Sequence, residues 1–195
     1  MIDTTKLYYE QVKEHLELVK SLDGLAQCMF DAVNICSDAL VNGGKIMLCG
    51  NGGSAADSQH IAAEFVGRFT KDRRSLPALA LTTDTSALTC IGNDYGFDEI
   101  FSRQIEGIGN TGDVLLGIST SGNSKNIISA IETAHRKGIK TMVFTGIRDT
   151  ILTESSDISF QVPSEKTARI QEIHILLGHI MCAGIEENLH QLKVI

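Results

Sequence analysis

DVLLGISTSGNSKN, residues 113–126, decides how the chain reads. Val114, Leu115, Leu116 and Ile118 form an apolar run too short for a buried helix and bounded by small residues, which predicts a central strand. Ser119, Thr120, Ser121, Gly122, Asn123 and Ser124 follow at once, and Ile127, Ile128, Ala130, Ile131 and Ala134 then give a helical stripe. The hydroxyl-rich loop therefore lies at a helix N-terminus, where backbone N–H groups lack intrahelical partners and a phosphate is well received. A cap needs one Ser or Asn, and a turn needs one Gly. Four hydroxyls and a Gly within six residues exceed that requirement and point to an anion.

The same alternation extends outward from this unit. Lys45 to Cys49 reads as an earlier strand, running through the Gly/Ser loop Gly50–Ser54 into a helix, and Leu79 to Leu81 reads as a strand after Pro77. Thr85 to Gly107 is mostly helical, broken around Gly92 to Phe97. Thr141 to Phe144 and Ile158 to Val162 supply two more strands, and Glu165 to about Leu192 the longest helix. Two helices precede everything, from Thr4 to Leu22 and from Leu25 to the Gly-rich exit at Asn42-Gly43-Gly44. The expected fold is α/β, a three-layer α-β-α sandwich around a five-stranded parallel sheet, with ligand loops at the C-terminal strand edge. One domain spans 1–195: a helical hairpin over 1–43, suited to covering the sheet or to subunit assembly, and the sheet unit over 44–195.

The formal net charge of -7 leaves no basic field for nucleic acid, so an anion site must be local. The five cysteines are scattered, with no Cys-x-x-Cys, and read as reduced core thiols, which fits a cytoplasmic protein. Neither a leader-like N-terminus nor a run of 18 apolar residues occurs, so no membrane association is expected.

Several chemistries are disfavoured by what the loops lack. Gly50–Ser54 is not GxGxxG, no GxxxxGK[ST] is present, and Ser119 does not sit in GxSxG, which disfavours nicotinamide, nucleoside triphosphate and triad-hydrolase readings. After the first Gly/Ser loop, His60, Glu64 and Arg68 recur at steps of four and share a helix face, an arrangement that also suits plain intrahelical charge pairs. The last helix carries Gln171, His174 and His179, and spacing alone does not tell the two histidines apart. Gln171 and His179 are eight residues apart, about 12 Å along the axis, and reach one ion only by leaning together. A carboxylate, an imidazole and a phosphate cradle in one cleft suit aldose–ketose isomerisation, with Glu64 as base and His179 as acid.

CGNGGSAADSQHIAAEFVGRF (49–69), TTDTSALTCIGNDYGF (82–97), FSRQ (101–104), GDVLLGISTSGNS (112–124) and ARIQEIHILLGH (168–179) together resemble the bacterial phosphoheptose isomerases, a family of sugar-isomerase (SIS) domain proteins. The resemblance spans nearly the whole chain. It implies a SIS fold of flavodoxin-like or Rossmann-like type and conversion of D-sedoheptulose 7-phosphate to D-glycero-D-manno-heptose 7-phosphate, the first step towards heptose for lipopolysaccharide core or related surface glycans. It also implies a cytoplasmic homotetramer with active sites between subunits. Residue by residue, it assigns the phosphate to Ser119, Thr120, Ser121 and Ser124 with help from Gly52, Gly53 and Ser54. Glu64 and His179 become the proton-transfer pair, and zinc, one per subunit, falls to His60, Glu64, Gln171 and His179. Asn51, Arg68, Asp94 and Gln171 match pocket positions. Ala168 stands where some members carry an acidic residue, so one contact to sugar hydroxyls is missing or is supplied by Thr167. Two alternatives share the pattern: a non-catalytic SIS tetramer that associates with the bacterial replication initiator, a branch lacking the catalytic carboxylate and the last-helix His, and an isomerase of another sugar phosphate.

Overall fold

The computed structural model describes residues 3–195. Five parallel strands, β1 (Ile46–Gly50), β2 (Ala78–Ala80), β3 (Val114–Ile118), β4 (Lys140–Thr145) and β5 (Ile158–Gln161), lie in the order β2-β1-β3-β4-β5. The expected sandwich is present, with every strand within a residue or two of its sequence-read position. All five residues of β1 and of β3 are buried, as a strand covered on both faces requires. In register, Leu48 pairs with Leu116, Leu116 with Met142 and Met142 with Ile158, and this row faces one core. The neighbouring row, Cys49, Gly117 and Val143, faces the other.

One face is covered by α2 (Ala26–Val41), α3 (Gly53–Val66) and the 25-residue α8 (Thr167–Gln191), which bury Cys36, Leu40, Ile61, Phe65, Ile173, Leu177 and Met181. The opposite face is covered by α4 (Thr85–Asp94), α5 (Ser102–Ile108), α6 (Lys125–Arg136) and α7 (Ile151–Ser155). Helix α7 has no counterpart in the sequence reading, because five residues carry too little hydrophobic period. Its only local mark is the reciprocal capping of Thr150 and Thr153.

Helix α1 (Thr4–Val19) begins at Asp3, whose carboxylate accepts from the amides of Thr5 and Lys6, both at 3.1 Å. It lies outside α8 and is tied to it by polar contacts: His15 Nδ1 to Glu172 at 2.7 Å, Lys166 to Glu14 at 2.7 Å, and Arg169 donating to the Gln11 carbonyl at 3.0 Å. Only Leu18 of α1 is buried, so the stripe Tyr8, Val12 and Leu16 faces outward.

Strand order places the ligand loops. β1 has β2 on one side and β3 on the other, so the connections from β1 and β3 diverge and a crevice opens at their C-terminal ends. Both Gly/Ser loops flank this crevice. Asn51 and Asn126 join them through two reciprocal amide hydrogen bonds, each 2.9 Å.

Candidate active site

Ser124 occupies the N-cap of α6, yet its hydroxyl makes no capping bond. Its Oγ lies instead 2.9 Å from Ser119 Oγ, which in turn lies 3.5 Å from Ser121 Oγ. Three hydroxyls thus converge at the mouth of a helix whose first amides have no intrahelical acceptor. A capping serine turns its oxygen onto the helix amides, and Ser124 does not. Thr120 and Ser121 also line a cavity of about 210 Å³, bounded opposite by Ser164, Glu165, Arg148 and Thr167. Thr167 is part of that wall and Ala168 is not.

Across the crevice, Gly52 adopts φ +56 and ψ -120, a combination that a side chain disfavours. The loop then enters α3 at Gly53, where an added Cβ would stand 2.6 Å from Gln171 Nε2. Gln171, in the first turns of α8, therefore lays its amide against the start of α3. Ser54 is buried, and its amide donates to the Asn51 carbonyl at 3.0 Å.

The two helices run side by side in the same direction: Gln171 meets Gly53, and further along Gly178 abuts Ile61. This pairing brings His179 to His60. Their Nε2 atoms are 2.9 Å apart, and His60 Nε2 is 3.3 Å from Glu64 Oε1. One donor atom from each of His60, Glu64 and His179 falls within 4.8 Å of the others, the one such cluster among the described residues. The spacing of four between His60 and Glu64 does what helical geometry requires of it. The Phe69 ring packs beside His179 at 5.6 Å between centroids.

The histidine ambiguity on the last helix resolves by burial. His174 is fully buried, its Nε2 donates to the Thr145 carbonyl at 3.1 Å, and its ring packs on Phe144. Burial pushes its pKa down to about 4, against the opposing pull of the Thr145 bond. It is a core residue. Gln171 stands two turns before His179 on α8, with its amide at the crevice end rather than beside the triad. Arg68 does not continue the His60–Glu64 face. α3 ends at Val66, and Gly67 at φ -80, ψ -108 turns the chain out of the helix, leaving Arg68 exposed. Asp94, the last residue of α4, is exposed and accepts from Asn93 Nδ2 at 2.7 Å.

Three residues of this region escaped the sequence reading. Asn126 bridges the loops, and Phe69 walls His179. Asp57 stands one turn before His60 with Oδ2 buried and unpartnered; burial raises its pKa, and the charge of His60 opposes the rise. The spacing of three between Asp57 and His60 was its available signal.

Residues 7–146 match the SIS domain model. The chain is 58% identical over 160 residues to a phosphoheptose isomerase from a Nitratiruptor species, covering 82% of this chain and 86% of that one. It is 49% identical over 189 residues to one from Helicobacter pylori, covering 96% and 97%. The solved phosphoheptose isomerase of Neisseria gonorrhoeae superposes with a TM-score of 0.86 at 45% identity, covering 94% of this chain and 99% of that one. The chain belongs to the phosphoheptose isomerase family. The SIS model ends before α8, so membership of the isomerase family rests on relatives that span nearly the whole chain, as does the solved family member from Francisella tularensis, with 96% and 100% covered at a TM-score of 0.87. Two imidazoles and a carboxylate form a donor set that could hold a metal ion and whose chemistry suits zinc.

Proposed function

We propose that the chain isomerises D-sedoheptulose 7-phosphate to D-glycero-D-manno-heptose 7-phosphate, the opening step of bacterial heptose synthesis for lipopolysaccharide core or related glycans. The observation that carries this reading is the joint presence of converging serine hydroxyls at the head of α6, none spent on capping that helix, and the His60–Glu64–His179 cluster in a member of the phosphoheptose isomerase family. The replication-initiator-associated branch lacks the carboxylate and the last-helix His, so the enzyme reading is favoured over it.

Ser119, Thr120, Ser121 and Ser124, with the amides at the start of α6 and the Gly52–Ser54 loop, hold the phosphate through charge-assisted hydrogen bonds. Asn51, Gln171, Arg68 and Asp94 bound the sugar, and Thr167 supplies a hydroxyl contact in place of the acidic group absent at Ala168. The Glu64 carboxylate takes a proton from C1. The C–H electron pair becomes the C1=C2 bond of the enediol as the C2 oxygen takes a proton from His179. Return of the proton to C2, while the C1 hydroxyl gives its proton back to His179, completes the aldose. Zinc held by His60, Glu64 and His179 would stabilise developing negative charge on the substrate oxygens; Gln171, which the family resemblance adds to the set, would have to swing its amide away from Gly53 to reach it.

The active form is a cytoplasmic homotetramer with sites between subunits. The outward stripe Tyr8, Val12 and Leu16 on α1 gives residues 1–43 their use in that assembly, with residues 44–195 as the catalytic unit. Among the described residues no helix is long and apolar enough to cross a membrane.

Purified protein supplied with zinc and sedoheptulose 7-phosphate is expected to yield the aldose by NMR and to elute as a tetramer. Failure to convert this sugar while converting another phosphosugar would move the assignment to the other isomerase reading.

A further inference from the structure

Beyond α3 the chain makes an excursion, Gly67 to Ser75, whose charged run Lys71–Arg74 by itself reads as solvated surface. Its anchor is instead a buried carboxylate on α8. Glu186 is 2% exposed. It accepts from the amides of Phe69 at 3.4 Å, Thr70 at 3.0 Å and Lys71 at 3.1 Å, from the Thr70 hydroxyl at 2.5 Å, and from Arg73 Nε at 2.8 Å. Arg73 uses its remaining donors on backbone carbonyls. Nη2 donates to Glu64 at 2.8 Å, and Nη1 to Phe65 at 2.9 Å and to Arg74 at 3.0 Å.

These contacts meet two needs of the reaction site. The last carbonyls of a helix have no intrahelical donor, and the last turn frays first. Glu64 sits in that turn of α3, which ends at Val66, and the guanidinium closes it as a C-terminal cap. At the same time the carboxylate fixes the backbone of Phe69, whose ring stands beside His179. A single ion pair therefore touches the support of both members of the proton-transfer pair without touching either side chain.

We infer that Glu186 and Arg73 are positioning residues, a buried clamp that holds the terminal turn bearing Glu64 and the Phe69 wall of His179 in working geometry. The inference deepens the isomerase reading and rests on it for its kinetic consequence, while its geometric content stands apart. The cradle at α6 lies on the other side of the crevice, so the clamp governs the reacting end of the substrate and not its phosphate.

The test uses the full-length assembled protein with Glu186→Gln, Glu186→Asp and Phe69→Leu variants, whose folding and assembly are checked by circular dichroism and gel filtration. Imidazole NMR of histidine-labelled protein is read first, because it needs neither substrate nor metal. Glu186→Gln is expected to shift the His179 ring signals in the direction that Phe69→Leu shifts them, with Glu186→Asp closer to wild type. Kinetics on sedoheptulose 7-phosphate are read second: kcat falls about 10-fold or more, as displacements on the ångström scale produce, with KM within about 3-fold. If Glu186→Gln leaves the His179 signals and kcat at wild-type values while only lowering the melting temperature, the clamp is structural support and the inference is overturned. If the ring signals move but wild-type protein converts no phosphosugar, the clamp stands and the isomerase reading fails. Should Glu186→Gln not fold, Arg73→Lys, which keeps the charge but loses the bonds to Glu64 and Phe65, is read by the same two measurements and the same two outcomes.

Discussion

Ser124→Ala separates the two uses of the serine at the head of α6. A capping hydroxyl contributes about 1 kcal/mol to stability, and its loss from a domain of this size would lower the melting temperature by roughly 2–4 °C. The Ser124 hydroxyl makes no such bond and points to Ser119 at 2.9 Å, so this cost should be absent. A hydroxyl that hydrogen-bonds a bound phosphate is worth about 1.5–3 kcal/mol, which corresponds to roughly 10- to 150-fold in affinity. The single variant should raise KM for sedoheptulose 7-phosphate within that range, with kcat changed less, because the phosphate is remote from C1 and C2. Ser119→Ala combined with it should lose less than the sum, since the two oxygens share one ligand and touch each other. Steady-state kinetics and a thermal melt of the same preparations decide the matter. Unchanged KM together with a melting temperature lowered by a few degrees would refute the cradle and restore the cap.

Other perturbations test other parts of the site. Gly53→Ala puts a methyl group against the far end of the flexible Gln171 side chain, so the fold should survive with a near-wild-type melting temperature while Gln171 moves and KM rises; an unchanged KM would remove Gln171 from the pocket. His174 titrates near 6.5 when unfolded but near 4 in the fold, so the unfolded chain takes up the proton first as pH falls. Its contribution is full above pH 6.5 and is lost as pH drops towards 4, a change of about 3 kcal/mol in all. Urea midpoints at fixed protein concentration should fall over that window, and the fall should flatten in His174→Gln; the same slope in both proteins would contradict the assignment. His60→Gln should lower zinc affinity measured by competition with a chromogenic chelator at least 10-fold, and wild-type affinity in that variant would take His60 out of the donor set.

Period and punctuation carried most of the fold. β3 is read to the residue because Val114 to Ile118 is a short apolar run closed by a hydroxyl-rich turn, and the His60–Glu64 pair is legible because a spacing of four fixes a helix face. What escaped depends on partners distant in sequence. Nothing local tells His174 from His179; they differ because one side of α8 meets the sheet, where Thr145 receives a proton donor, and the other meets α3. Arg68 looked continuous with the helix because Gly67 is only a weak stop by itself, whereas Arg73 and Glu186 fix the turn from outside. The Asn51–Asn126 bridge joins residues 75 apart and becomes visible only with the strand order.

In the proposed reaction Glu64 moves the proton between C1 and C2 of a phosphosugar bound by the α6 loop. The most direct test compares wild type and Glu64→Gln, each zinc-loaded, turning over sedoheptulose 7-phosphate in deuterium oxide. Wild type should form the aldose with deuterium at C2 and return ketose labelled at C1. Glu64→Gln should give neither, while keeping the same oligomer and the same phosphosugar affinity. Turnover and labelling by Glu64→Gln at the wild-type rate would contradict the account.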